Sequence, residues 1–135
     1  MSESLQHQQL VKMILDFSIE YVGPHNKIFI STDSINSISL PPVTIDGFRP
    51  DVYYQFENTL IIGEAKTSKD VERIHSIEQY ESYIKMCSMF QGTAVLVLAV
   101  PWTDHATIHN IIYRIKKKYK GHFDVRILDG IGGAI

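Results

Sequence analysis

The longest uninterrupted apolar run in the chain is the seven residues from Ala94 to Val100. A helix needs about 20 apolar residues to span a membrane, so this run is far too short to do so. It predicts a buried strand instead. Helical patterns lie on both sides of it in the sequence, so we expect helices and strands to alternate here.

The length and composition are those of one folded domain, which we assign to residues 1–135. Hydrophobic residues make up 44% and charged residues 21% of the chain, which argues against disorder. A single cysteine, Cys87, excludes an intrachain disulfide and a cysteine-pair zinc site. No secretory signal is visible at the N-terminus, and a cytoplasmic location is expected.

Hydrophobic periodicity predicts the order α-β-β-β-α-β-α-β. This order favours an α/β fold with a mixed sheet that is covered by helices on both faces. The second helix is predicted from the helical spacing of Val71, Ile74 and Ile77, with Tyr80, Ile84 and Met89 further on. The predicted elements are a helix over 4–22, a strand over 27–31, a loop or irregular strand over 34–46, hairpin strands over 51–56 and 60–66, a helix over 69–90, a strand over 93–100, a helix over 103–119 and a strand over 123–128.

The second strand of the predicted hairpin carries charges at its end. Side chains alternate along a strand, so Glu64 and Lys66 share a face with the apolar Leu60 and Ile62. Charged groups in a buried strand need an ion partner or a metal. A salt-bridged hairpin end and a functional site both fit this pattern.

The turn of the hairpin decides whether Asp51 joins these charges. With Asn58-Thr59 as a two-residue turn, Asp51 lies opposite Lys66 and on the same face as Glu64. Two carboxylates at that spacing are able to converge on one hard cation. A slip of one residue would place Asp51 on the other face, so the prediction depends on the turn.

These residues resemble a known motif. Pro50-Asp51, followed by Glu64-Ala65-Lys66 at the end of the next strand, is similar to the PD-(D/E)XK motif of the restriction-endonuclease-like nuclease superfamily. The resemblance covers about residues 5–100 and implies an αβββαβ core, to which this chain adds a C-terminal helix and strand.

Two helical features extend the resemblance. Gln79 and Tyr83 match the Gln-x-x-x-Tyr motif of RecB-type exonucleases, and the two positions face the same way on a helix. The family often contributes a glutamate from the first helix, for which Glu20 is the candidate and Asp16 the competitor.

The resemblance implies Mg²⁺-dependent hydrolysis of phosphodiester bonds, with Mn²⁺ as a substitute metal. Asp51, Glu64 and the backbone carbonyl of Ala65 would hold the metal. Lys66 would orient or deprotonate the attacking water and counter the charge that builds on phosphorus. Glu20, Gln79 and Tyr83 would complete the catalytic site.

The charge distribution suggests where phosphates bind. We call Arg114, Lys116, Lys117, Lys118 and Lys120 the basic cluster, which places five positive charges within seven residues. Since the whole chain carries −2, the other 128 residues carry −7. The basic cluster is either a solvated helix end or a phosphate-binding edge. Arg49, Lys69 and Arg73 are further candidates for phosphate contact.

Other patterns carry less weight. His105 and His109 are four residues apart, but no third zinc ligand follows at a suitable spacing, so a surface pair is expected. The glycine-rich segment 130–133 is expected to be a flexible tail, and Cys87 to be a core residue.

The leading hypothesis is a small metal-dependent DNA endonuclease or exonuclease of DNA processing, repair or recombination. It would act as a homodimer or as a subunit of a larger complex, without membrane contact. The first alternative is a catalytically silent nuclease-fold subunit that binds nucleic acid or protein. The second is an unrelated α/β domain with a purely structural hairpin.

Overall fold

The computed structural model describes residues 4–34 and 39–130, and within these ranges five strands form one sheet. The glycine-rich segment predicted to be a tail lies outside them after Gly130. The helices and strands are α1 (Leu5–Val22), β1 (Ile30–Thr32), β2 (Val52–Phe56), β3 (Thr59–Ala65), α2 (Ile74–Met89), β4 (Thr93–Ala99), α3 (His105–Lys116) and β5 (Asp124–Leu128), with 3₁₀ turns at Pro24–Phe29 and Trp102–Asp104.

The strands lie in the sheet in chain order, and they pair in two ways. The first three strands are antiparallel, whereas β3, β4 and β5 are parallel and are joined through α2 and α3. The prediction of an α/β fold with a mixed sheet is therefore confirmed. Ala65, Ala99 and Leu128 lie side by side where the parallel strands end, and we call this the carboxyl end of the sheet. The opposite end is the amino end.

Helix α1 covers one face of the sheet. Ser4 caps its first turn by accepting a hydrogen bond from the backbone N–H of His7 at 3.1 Å. Leu10 and Ile14 are fully buried against this face. The helix approaches β3 closely at Gly63, where an added Cβ would lie 2.4 Å from Cγ2 of Ile14. Only glycine allows this approach, which fixes α1 beside the hairpin.

Helices α2 and α3 cover the other face. Helix α3 buries the four isoleucines at a helical spacing, as its apolar pattern suggests: Ile108, Ile111, Ile112 and Ile115. Tyr80 and Ile84 of α2 are also fully buried in this layer, and Cys87 lies there as the predicted core residue. The sheet is thus enclosed on both faces, which explains the continuous apolar character of β4.

The hairpin differs from its prediction by the position of its turn. Phe56 pairs with Thr59, so Glu57 and Asn58 form the turn, and Glu57 has a positive φ of 55°. Moving the turn by one residue changes every cross-strand partner by two, which leaves each side chain on its predicted face. Continued to Asp51, the register places this residue level with Glu64 and not with Lys66.

The boundaries of three elements also differ. Residues 27–29 belong to a 3₁₀ turn, so β1 starts later than predicted. Helix α2 begins only at Ile74 because residues 68–72 form turns, in which the N–H of Asp70 donates a hydrogen bond to the carbonyl of Thr67 at 2.9 Å. Ile74, at the start of the helix, is 78% exposed, while Val71 is buried in the turns before it. Helix α3 ends at Lys116, before the predicted boundary.

The long connection before β2 is tied to α2. Residues 39–51 contain no helix or strand, so the described part of 34–46 is a loop, and the strand predicted from Asp51 begins at Val52. The hydroxyl of Ser82 lies 2.8 Å from that of Thr44 and 2.7 Å from the carboxylate of Asp46. Arg49 donates to the carbonyl of Pro41. These bonds hold the segment that leads into Asp51.

No helix in the described ranges is long and apolar enough to cross a membrane.

Candidate active site at the carboxyl end of the sheet

Three charged side chains meet where β3 ends and β2 begins. Asp51 directly precedes β2, Glu64 is the second-last residue of β3, and Lys66 directly follows β3. The exposed fractions of their side chains are only 12%, 6% and 12%, respectively. Charged groups are rarely buried to this degree unless other groups pair with them. Their contacts therefore define the site.

Glu64 lies at the centre of these contacts. Its Oε1 accepts a hydrogen bond from the hydroxyl of Tyr83 at 2.9 Å, and its Oε2 lies 3.4 Å from Nζ of Lys66. Burial, and then the negative charge of Asp51, raise the pKa of Glu64 well above its ordinary value, although Lys66 and Tyr83 oppose this shift. The two carboxylates are thus close enough to repel each other.

Helix α2 supplies the uncharged partners of the site. Gln79 and Tyr83 are one turn apart and both face the sheet, as the motif implies. Oε1 of Gln79 accepts a hydrogen bond from Nζ of Lys66. Burial, together with the adjacent Glu64, raises the pKa of Tyr83, so its hydroxyl remains protonated and donates at neutral pH. The ammonium of Lys66 is therefore held between a strand and a helix.

Asp51 is held by the neighbouring strand and by α1. Its Oδ2 accepts a hydrogen bond from the backbone N–H of Ala65 at 2.9 Å and lies 3.4 Å from Nε2 of His7. His7 was not among the predicted site residues. His7 lies three residues before Leu10 and seven before Ile14, so the helical period places it on the same face of α1 as these buried residues. That spacing is the sequence signal that could have identified it.

The structure does not bring the predicted first-helix acids to this site. Asp16 is exposed and paired with Lys12 at 2.8 Å. Glu20 is exposed near the other end of α1. Thirteen residues separate it from His7, which is roughly 20 Å along a helix axis. The first turn of α1, and not its last, faces Asp51.

Two of the candidate phosphate-binding residues lie in the loop that follows Lys66. Lys69 is exposed, and Arg73 is exposed and pairs with Asp70 at 3.1 Å. Both lie at the carboxyl end of the sheet, within seven residues of Lys66. Arg49 is partly buried and its guanidinium binds the carbonyl of Pro41, so it has a structural partner already.

The basic cluster lies elsewhere. Helix α3 begins next to the carboxyl end of the sheet and runs back towards the amino end, so its last residues are about 18 Å from its first. Lys116 and Lys117 lie over the rings of Phe123 and Tyr113, at 5.4 and 4.5 Å. Lys118 lies 3.4 Å from Glu81 of α2. The structure thus separates the basic cluster from Asp51, Glu64 and Lys66.

A groove of about 420 Å³ lies near the basic cluster, between α2, the segment before β2 and Tyr119. Tyr119 donates a hydrogen bond to Glu81 in this groove at 2.6 Å. This bond lowers the pKa of Glu81 and raises that of Tyr119 to about 12. The residues that line the groove are Asp46, Phe48, Glu78, Glu81, Ser82, Lys85 and Tyr119.

The histidine pair of α3 is on the surface, as expected. The rings of His105 and His109 are 6.5 Å apart and almost parallel. Nδ1 of His105 contacts the carboxylate of Asp129 after β5, a partner that the sequence spacing does not reveal. The side chains of His105 and Asp129 are 45% and 39% exposed, respectively, so water screens this interaction.

Asp51 and Glu64 present oxygen donors of the kind that Mg²⁺ prefers. Across residues 4–34 and 39–130, no three His, Cys, Asp or Glu side chains form a group that is able to hold a metal ion. Mg²⁺ is usually held by one or two carboxylates and keeps several waters. The two carboxylates therefore fit Mg²⁺ better than Zn²⁺, which needs three or four protein ligands. A cation here would also offset the repulsion that raises the pKa of Glu64.

Comparison of the chain with protein-family models, with curated proteins and with solved structures found no match. The class established here is therefore that of the fold, an α/β domain with a five-stranded mixed sheet. The chemistry of the carboxyl end of the sheet is the basis for a function.

Proposed function

We propose that this protein is a metal-dependent nuclease that hydrolyses phosphodiester bonds of nucleic acid, with DNA as the expected substrate. The order of α1, the β1–β3 meander, α2 and β4 supports a restriction-endonuclease-like core. Pro50-Asp51 and Glu64-Ala65-Lys66 fall at the strand ends where that resemblance requires them.

The observation that carries this proposal is the largely enclosed ammonium of Lys66 beside two buried carboxylates. Nζ of Lys66 lies 3.4 Å from Glu64 and binds Gln79, while Asp51, directly before β2, accepts a hydrogen bond from the N–H of Ala65 next to Glu64. Removing such charges from water costs several kcal/mol for each ion, and replacing a buried ion pair with apolar side chains of similar volume often leaves a protein equally stable. Stability alone therefore does not account for the arrangement, whereas two carboxylates able to hold a metal ion and a cation beside them are groups that metal-dependent hydrolysis of a phosphodiester uses.

The roles follow from the contacts. Asp51, Glu64 and the carbonyl of Ala65 would hold Mg²⁺, with Mn²⁺ as a substitute. When bound, this ion polarises the phosphate and lowers the pKa of a coordinated water. Nζ of Lys66 donates hydrogen bonds to the attacking water or to the oxygens on which charge develops.

The neighbouring side chains position these groups. Gln79 accepts from Nζ of Lys66, which fixes the direction of the ammonium, and Tyr83 donates to Glu64, which fixes the carboxylate. His7 lies close enough to Asp51 to orient it. We assign positioning roles to these three residues because each acts through another side chain.

A cleavage assay tests this function. Labelled single-stranded, duplex and branched DNA and the matching RNA forms are incubated with the full chain in Mg²⁺, in Mn²⁺ and in EDTA. We expect cleavage of at least one form in either metal and none in EDTA. Glu64→Gln should abolish cleavage, while Glu57→Gln, at the exposed turn of the same hairpin, should not.

Two outcomes would contradict the proposal. Absence of cleavage of every form in both metals would favour a silent subunit that only binds. Cleavage at the wild-type rate by Glu64→Gln would show that the activity comes from another site or from a contaminant. Calorimetry with Mn²⁺ adds a readout apart from turnover, because Asp51→Asn should weaken binding of the metal and Asp124→Asn should leave it unchanged.

A further inference from the structure

An exposed tryptophan lies at the same end of the sheet as the candidate active site. Trp102 is the single tryptophan of the chain, and it is 52% exposed. It begins the 3₁₀ turn Trp102–Asp104, which follows β4 directly after the buried Pro101. An exposed indole is unusual because aromatic side chains stabilise a fold mainly when they are buried.

Backbone pairing fixes how far Trp102 is from the site. The N–H of Lys66 donates to the carbonyl of Ala99 at 3.0 Å, so these residues are neighbours on adjacent strands. Trp102 follows Ala99 by three residues, which limits the distance between their Cα atoms to roughly 11 Å. The hydroxyl of Ser68 also binds Asp104 at 2.5 Å, which joins the loop after Lys66 to the turn that carries Trp102.

The surface between them suits a nucleic-acid strand. The loop that Ser68 joins to this turn also carries the exposed cations Lys69 and Arg73. Bases of single-stranded nucleic acid stack on exposed aromatic side chains, while cations contact the phosphates. In a duplex the faces of internal bases are covered by their neighbours, so an indole reaches the face of an internal base only where that base is unpaired.

We propose that Trp102 stacks on an unpaired base of the nucleic acid that Asp51, Glu64 and Lys66 hydrolyse, so that the substrate is single-stranded near the scissile bond. This inference rests on the proposed function and specifies the substrate class of that same site. The stacking contact is independent of the metal, because Trp102 does not take part in the reaction.

The experiment uses Trp102 as its own reporter. The wild-type chain in EDTA is titrated with oligothymidylate of about 12 nucleotides, a length within the range that single-strand binding folds cover. Two further probes are an abasic oligonucleotide of equal length, which keeps the phosphates and lacks bases, and the blunt duplex. We expect oligothymidylate to quench the tryptophan fluorescence strongly and the other two probes to quench it little. Oligouridylate shows whether the sugar matters.

Three substitutions complete the test. Trp102→Ala should weaken binding of labelled oligothymidylate at least about fivefold, the lower end of what one stacked base contributes. Trp102→Phe should retain most of the affinity because an aromatic face remains. Tyr113→Ala is the matched control, an exposed aromatic residue next to the basic cluster, and should bind like the wild type.

Each outcome bears on one proposal. Equal quenching by the abasic probe, or wild-type affinity in Trp102→Ala, would overturn the stacking contact even if the protein cleaves nucleic acid. This comparison of probes needs no substitution, so it stands if a variant fails to fold. A loss of affinity in Tyr113→Ala alone would move the binding site to the basic cluster. Quenching without any cleavage in Mg²⁺ would overturn the hydrolytic function and leave the stacking contact supported.

Discussion

The carboxyl end of the sheet and the basic cluster at the end of α3 are both rich in charged residues, but they differ in how far those charges are exposed to water. Glu64 and Lys66 are almost completely enclosed and bind buried partners on α2. Lys117 and Lys118 are exposed, and they contact Tyr113 of the same helix and the partly exposed Glu81 of α2, respectively. Burying a charge is costly, whereas leaving one in water is not, so only the first arrangement calls for a functional explanation.

The largest expected difference between the two regions is in turnover. Lys66→Ala should lower kcat by about 10² to 10³, or roughly 3 to 4 kcal/mol, because it removes a group that stabilises charge in the transition state. Lys118→Ala should leave kcat unchanged. Steady-state cleavage at saturating substrate measures kcat for both variants. A wild-type kcat in Lys66→Ala would contradict the proposed role of Lys66. If the wild type shows no cleavage and Lys66→Ala changes only the affinity for nucleic acid, the protein is a silent subunit.

The next difference concerns phosphate contacts. Replacing both Lys69 and Arg73 with Ala should lower the slope of log affinity against log salt by up to about 1.4 for a single strand, since each lost phosphate contact changes it by about 0.7. Replacing Lys116, Lys117 and Lys118 together should change this slope less. Fluorescence anisotropy with a labelled oligonucleotide over a range of salt concentrations measures both slopes. A larger change of slope on replacing the three lysines than on replacing Lys69 and Arg73 would assign phosphate binding to the basic cluster.

The two regions should also respond to pH with opposite signs. Burial, and then Asp51, raise the pKa of Glu64 above 4.5, so the folded protein retains a proton that the unfolded chain loses. In EDTA, this group therefore contributes stability below pH 4.5 that is lost as the pH rises through its folded pKa. The pKa of Glu81 is lowered, mainly by the hydrogen bond from Tyr119. Glu81 therefore contributes stability at a pH above its ordinary pKa of 4.5, and this stability is lost as the pH falls through its folded pKa.

Urea denaturation at several pH values separates these contributions. Compared with the wild type, Glu64→Gln should remove the loss of stability on raising the pH, and Mg²⁺ should restore stability to the wild type at neutral pH. The groups that act on Glu64 are Asp51, Lys66 and Tyr83, and they are kept in both proteins. An unchanged pH profile in Glu64→Gln would mean that another group titrates, and Glu57→Gln serves as the control.

The smallest expected effect lies in the groove. Tyr119→Phe removes the 2.6 Å hydrogen bond to Glu81 and should lower the free energy of unfolding by about 1 kcal/mol, since Glu81 is partly exposed and water screens the bond. Tyr113→Phe, with an exposed side chain, is the matched control. Cleavage should be normal in both variants. A change of cleavage in Tyr119→Phe would connect the groove to the active site.

Local periodicity was enough to predict much of the fold and part of the site. The buried strand around Leu96, the inward isoleucines of α3 and the mixed sheet are all confirmed. The alternation of a strand places Glu64 and Lys66 on one face, and the helical period does the same for Gln79 and Tyr83. These relations survive small errors in boundaries because they depend only on neighbours within one element.

What the sequence by itself determined, then, is the set of charged and polar residues that each element presents on one face. The tertiary structure alone decided which faces meet. It moved the turn to Glu57, brought His7 rather than Glu20 to Asp51, and placed the basic cluster at the other end of α3. The physical reason is that these relations depend on the close approach of α1 at Gly63 and on the packing of elements distant in the chain, which no local period encodes.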